Sequence, residues 1–253
     1  MNELGTPSLQ LRIGRLLFAL SVVASGIYQL VTGRFVNLVP LNPAHVQPCQ
    51  AYLLGVVLIL IGVALLVRRT VTAAAIVLAI LLLVLFFGFS LRVAIPNASM
   101  GYVWVDPLMI LAILSGVGLT VVPREGASSV DRVFEKLSRF VPLALGAFMA
   151  YCGALHFPYA KYVAGLIPPW IPGHMFWTYF AAVALIAGGI GLLVPQTALL
   201  AATLSGIMLI SWFFLVHIPL AINTHTVTEV SRGFQALQDG AVALMLAGTI
   251  RKS

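Results

Sequence analysis

Three histidines stand where apolar runs end or begin: His156 in "GALHFP", His174 in "IPGHMFW" and His217 in "FLVHIP". A neutral imidazole can hold a metal, hydrogen-bond a quinone carbonyl or relay a proton. Polar side chains at membrane depth face a bundle interior and often mark function. The competing reading puts His156 and His217 in the headgroup layer, bonded to carbonyls that the following proline frees. Trp170, Trp177 and Asp239 complete the candidate cofactor-binding set, at the external mouth of a shared pocket. No HxH, HxxxH or CxxC spacing occurs, so no metal site is expected and thiol–disulfide chemistry is disfavoured. "GGIG" at Gly188–Gly191 lacks the preceding strand that a phosphate cradle needs, and nucleophile-elbow and zinc-protease motifs are absent. The residues name no catalytic group, and enzyme activity stays open.

These side chains sit in a chain of 253 residues that is 61% hydrophobic and 8% charged. Soluble domains carry about 25% charged residues, so composition makes this a membrane protein. Apolar runs of the length a bilayer requires occur near 11–31, 50–67, 71–91, 105–123, 139–158, 175–194, 197–217 and 236–250. The expected fold is all-α, with eight transmembrane helices. Ten of the fourteen Lys and Arg residues then share one side, from Arg12 and Arg15 through Arg68, Arg69, Arg132 and Lys136 to Arg251. Basic residues favour cytoplasmic loops, so both termini are expected in the cytoplasm of a bacterial inner (plasma) membrane. The net charge of +7 is thereby topogenic, and a nucleic-acid partner is not expected. Asp106 and Asp239 read as equivalent residues, each opening the last helix of its unit, where a carboxylate suits a helix N-terminus. No ionisable residue is expected at the centre of a span, which weighs against an ion relay.

Shifted against itself, the sequence superposes Pro40, Pro43 and His45 on Pro169, Pro172 and His174. The same shift sets "AYLLGVVLILIGVALLV" on "YFAAVALIAGGIGLLVP", with Gly62 falling on Gly191. Smaller adjustments pair "SGIYQLVTGRFV" with "CGALHFPYAKYV", so that Gln29 stands opposite His156 and a small residue near Ser90 opposite His217. The expected organisation is two parallel four-helix units, 1–123 and 139–253, related by an axis along the membrane normal. Residues 124–138 join them through a short amphipathic cytoplasmic helix with a serine cap.

The unit with the long external segment "HFPYAKYVAGLIPPWIPGHMFWTYFAAVALIAGGIGLLVP" resembles the DoxX and DoxX-like membrane proteins, here as a tandem fusion. The second copy carries the resemblance more closely than the first. The resemblance implies a membrane component of a redox, quinone-linked system, with a redox partner protein and a lipophilic ligand near the external face. Its alternatives are a transporter or flippase for a small lipophilic solute, and a non-catalytic assembly or partner protein. It transfers no catalytic residue.

Overall fold

Long apolar runs form helices because a bilayer core offers backbone groups no partner outside the chain. The structure, a computed structural model, describes residues 8–36, 48–121 and 128–250, and among them every regular element is helical. In chain order these are α1 (Leu9–Thr32), α2 (Pro48–Leu66), α3 (Val71–Leu85), α4 (Leu91–Ala94), α5 (Val105–Val117) and α6 (Ser129–Ser138). They are followed by α7 (Val141–Leu155), α8 (Ala160–Leu166), α9 (His174–Leu193), α10 (Ala198–Trp212), α11 (Ile218–Thr224) and α12 (Val227–Ala247). Single π-helical turns, Phe86–Ser90 and Phe213–His217, join α3 to α4 and α10 to α11. Among the described residues seven segments are long and apolar enough to cross a membrane: Leu9–Thr32, Pro48–Leu66, Val71–Ala94, Gly101–Thr120, Ser129–Leu155, His174–Leu193 and Ala198–Thr224. Pro40, Pro43, His45 and Arg251 lie outside the described residues.

The helices are tied at their ends by local polar groups. Ser8 caps α1, accepting from the Leu11 N–H, and its hydroxyl donates to the Gly248 carbonyl at 2.8 Å, joining the start of α1 to the end of α12. At that same end the Arg15 guanidinium donates twice to the Leu119 carbonyl, at 2.9 and 2.7 Å, satisfying an orphan acceptor beyond α5. The expected amphipathic helix is α6: Ser128 and Asp131 form a capping box, and Phe134 is its buried anchor.

Packing follows small residues. A methyl group built on Gly189 of α9 would lie 2.5 Å from the Gly146 carbonyl oxygen of α7, and one on Gly153 would lie 2.7 Å from the Ala182 oxygen. The first half repeats these contacts in register, with Gly62 in the place of Gly189 and Gly26 in that of Gly153. Gly62 of α2 meets Ala19 of α1, a built methyl lying 2.8 Å from the Ala19 oxygen, and Gly26 meets the Gly55 oxygen at 2.5 Å. Close backbone approach of this kind holds helices together where lipid supplies no hydrophobic drive. The turns match as well. The Thr70 hydroxyl donates to the Ala64 and Val67 carbonyls, and the Thr197 hydroxyl to those of Gly191 and Val194. The two π-turns keep the same register, Phe86 corresponding to Phe213 and Ser90 to His217.

The outer faces of α1, α2, α3, α9 and α10 expose Val31, Leu53, Ile80, Val183 and Leu200, a surface suited to lipid. The last helix differs. Every residue from Leu237 to Ala247 is buried, and α12 packs against α1, α5, α7 and α10. It begins at Val227, capped by Thr226, rather than near 236 as the apolar run suggested. A helix enclosed by other helices can carry polar residues that a lipid-facing span cannot, so hydropathy alone misses its first turns.

Candidate functional site

The polar groups of the bundle interior gather on α12. Its first turn carries Glu229, whose Oε1 accepts from the Arg232 guanidinium at 2.6 Å, an i,i+3 pair on one helix face. Arg232 also donates to the Tyr162 hydroxyl of α8 at 3.0 Å and stands 5.9 Å from that ring's centre. The segment around α8 is thus clipped to α12. Glu229 is buried, and its Oε2 has no partner.

Asp239 lies twelve residues beyond Val227, ~18 Å along the helix at 1.5 Å per residue. It therefore does not open the last helix. Asp106 does lie in the first turn of α5, so the two carboxylates occupy different depths, and the expected equivalence fails. Asp239 instead stands midway along α12, a helix outside the seven long apolar segments. The cause is the earlier start of α12, which pushes Asp239 inward. Asp239 is only 2% exposed, and its Oδ1 lacks a hydrogen-bond partner. Cys152 of α7 is within electrostatic reach of both Asp239 and Asp106, and Arg232 within reach of Asp106 and His217.

The histidines divide. His217 ends the second π-turn with its Nδ1 buried and unpaired, and its Cβ faces Gly233 of α12. Such turns recur at functional positions in helices. His156 is the C-cap of α7, just beyond the spanning segment that ends at Leu155, and its Nδ1 lies 2.7 Å from the Cys152 carbonyl. A carbonyl only accepts, so Nδ1 carries the proton. Burial lowers the His156 pKa from its ordinary value, while the bond to Cys152 acts in the opposite sense. His156 is thus bonded within the last turn of its own helix.

The remaining members of the candidate set stand apart. Trp170 is 62% exposed, and Trp177 belongs to an exposed ring cluster with Phe176 and Phe180, the arrangement of an interfacial aromatic belt. His174 is the first residue of α9, half-buried, and its carbonyl accepts from Thr178. The structure therefore sets His217 against the first turns of α12, which carry Glu229 and Arg232, puts Asp239 further along that helix, and leaves Trp170 and Trp177 exposed. Among the described residues no group of three His, Cys, Asp or Glu side chains is placed to hold a metal ion.

Two residues that the sequence set opposite His156 and His217 are buried on the first half of the chain. Gln29 of α1 is fully buried with both amide atoms unpaired, and Ser90, the last residue of the first π-turn, is buried with its hydroxyl unpaired. Each unpaired group costs ~1–3 kcal/mol. The available signal was a lone glutamine inside an otherwise apolar run. Residues 145–244, from α7 into α12, match the family model described as a domain of unknown function (DUF8561), and no curated protein or solved structure matches the chain.

Proposed function

We propose that this chain is a proton-linked membrane transporter of a small solute, with Asp239 as the proton-carrying group. One observation carries the reading: a carboxylate midway along the most enclosed helix, with an oxygen that no protein donor reaches. A buried charge without a partner costs several kcal/mol, which a proton on the carboxyl removes. In each cycle Asp239 takes one proton from water on one face and releases it to the other, with only an O–H bond made and broken. Cys152 of α7 is within electrostatic reach of it, and Glu229 and Arg232 lie ten and seven residues toward the start of the same helix, about 15 and 10 Å away; α1 turns the neutral Ser25 and Gln29 inward.

The architecture in this reading is eight spans, α12 being the eighth, arranged as two parallel four-helix units in a bacterial inner membrane. The threonine bonds, π-turns and glycine contacts support it, since all pair in the one register that sets Gly62 on Gly189. So does the pattern in which α1 packs on α2 and α12 while α7 packs on α9 and α5. The ten-to-four basic asymmetry supports cytoplasmic termini.

The test uses proteoliposomes loaded with a pH-sensitive dye and offered a panel of organic acids, amines and polyols. At least one solute should move the internal pH with wild type and not with Asp239→Asn. A wild type that moves no proton with any solute refutes the reading. A second reading, the quinone-linked redox component, draws on the DoxX-like resemblance and on the unpaired His217 Nδ1 beside Arg232. A quinone in the lipid extract of the purified protein would favour it.

A further inference from the structure

Helix α6 keeps one of its faces out of the bundle. At about 100° per residue, Phe134, Val130, Leu137 and Val133 succeed one another around the helix; Lys136 and Arg132 come next, and Glu135 and Asp131 complete the turn. Three contacts fix which of these sectors meets protein. Phe134 is buried. Gly118, in the turn after α5, lies directly against the Phe134 carbonyl, and a methyl built on it would stand 2.9 Å from the Ser138 nitrogen. Asp131 Oδ1 accepts from the Thr72 hydroxyl of α3 at 2.8 Å, while its Oδ2 accepts from the Ser128 N–H and hydroxyl, both at 2.9 Å. The bundle thus holds α6 by its Phe134–Asp131 side. On the other side Val133 is 62% exposed and Val130 38%, and the exposed apolar surface runs on through Phe140 and Leu143. The bond from Thr72 also brings the turn before α3 beside α6, with Arg68 and Arg69 exposed on it.

We propose that this face of α6 docks on the surface of an anionic phospholipid bilayer. Val130 and Val133 enter the acyl boundary, and Arg132, Lys136 and the neighbouring Arg69 lie among the headgroup phosphates. An apolar sector bordered by basic residues is the pattern of a helix lying in the interface plane, and each Lys or Arg near such a surface adds attraction to anionic lipid. Two observations select lipid as the occupant. The apolar patch is continuous with lipid-facing surface, because α6, Phe140 and Leu143 all belong to the one long apolar segment Ser129–Leu155. The charges are also sorted for anions: Asp131 is turned to α3 with both oxygens bonded, and Glu135 pairs with Arg139 at 3.4 Å. An acidic protein partner would match the basic residues but not the apolar patch that continues into a spanning segment. The surface makes no use of Asp239 or of proton-linked transport, so either idea can fail alone.

The experiment uses the full chain in a background lacking Cys49 and Cys152, with a bimane fluorophore attached through Val133→Cys or, as the control, Glu135→Cys. The protein is reconstituted in phosphatidylcholine vesicles containing, at equal mole fraction, phosphatidylglycerol or phosphatidylcholine brominated in the acyl chains. The Val133 label should emit at shorter wavelength than the Glu135 label and be quenched by both brominated lipids, more strongly by phosphatidylglycerol. One basic side chain near an anionic surface contributes about fivefold. Arg132→Gln with Lys136→Gln should therefore lower the preference for phosphatidylglycerol by about fivefold or more and keep the quenching by phosphatidylcholine. Arg132→Lys with Lys136→Arg should retain the preference, which separates charge from a loss of fold. Inorganic phosphate at constant ionic strength should change none of these signals. The proposal is overturned if the Val133 label stays as water-exposed as the Glu135 label, or if both brominated lipids quench it equally. It is also overturned if the charge-retaining pair loses the preference as the neutral pair does, or if inorganic phosphate abolishes it.

Discussion

Replacing single glycines by alanine tests the helix packing and the internal correspondence together. In α9 a methyl on Gly189 would sit 2.5 Å from the Gly146 oxygen and 2.9 Å from the Ala150 nitrogen, both backbone atoms. Ordinary contact begins at 3.4 Å, so α7 and α9 must separate by about 0.9 Å at this point. Gly62 of α2 is in the same position against α1: its methyl would lie 2.5 Å from Val23 Cγ2, 2.8 Å from the Ala19 oxygen and 2.9 Å from the Val23 nitrogen. Gly165 of α8 is the reference, because a methyl there meets nothing within 4 Å. Alanine gains about 1 kcal/mol of helix propensity at any of the three sites, so the comparison cancels that term and leaves the steric one. Overpacking costs about 1–3 kcal/mol. At roughly 2–4 °C per kcal/mol for a chain of this size, Gly189→Ala and Gly62→Ala should each unfold about 2–12 °C below Gly165→Ala. The assay is thermal unfolding of the purified variants in one detergent at one heating rate. Should both variants unfold with Gly165→Ala, the helices are not in backbone contact. Should only one of them fall, the correspondence between the two halves is refuted.

Cysteines introduced at Ser129 and Lys161, in a background lacking Cys49 and Cys152, should label from opposite sides of sealed inverted and right-side-out vesicles; labelling of both from one side refutes the topology. Arg232→Ala leaves Glu229 buried and unpaired, so it should unfold at lower temperature than Tyr162→Phe, which removes one bond from an exposed ring; equal midpoints would mean the ion pair contributes nothing. For His156 the folded pKa is depressed, so the unfolded chain binds the extra proton. Its contribution is therefore complete above the ordinary value of 6.5 and is lost as pH falls below it. Wild type should lose more thermal stability than His156→Gln between pH 7 and 5, and parallel curves would contradict the burial of this ring.

Much of the scaffold is legible in the sequence because its causes are local. A span must be apolar over about 20 residues whatever it packs against, so hydropathy finds seven of the segments. Ser128 with Asp131 announces α6 for a similar reason, since a capping box closes within four residues. The tertiary structure decided the rest. Polar residues on α12 are tolerated because other helices, and not lipid, surround it; from the chain alone Glu229 and Arg232 look like a loop and Asp239 like a helix start. Which glycines meet across α1–α2 and α7–α9 is decided there too, and those contacts recur at the spacing from Gly62 to Gly189. The proline–histidine spacing, whose first copy lies outside the described residues, sets Gly62 on Gly191 instead. Trp170 and Trp177 have the chemistry of pocket walls but are exposed, Trp177 through the rotation of α9 and Trp170 in the turn that precedes it. No periodicity reveals that the helices ending at Ser90 and His217 each contain a π-turn, or that Gln29 faces inward without a partner. Those facts depend on what stands opposite each side chain, and only the assembled bundle supplies it.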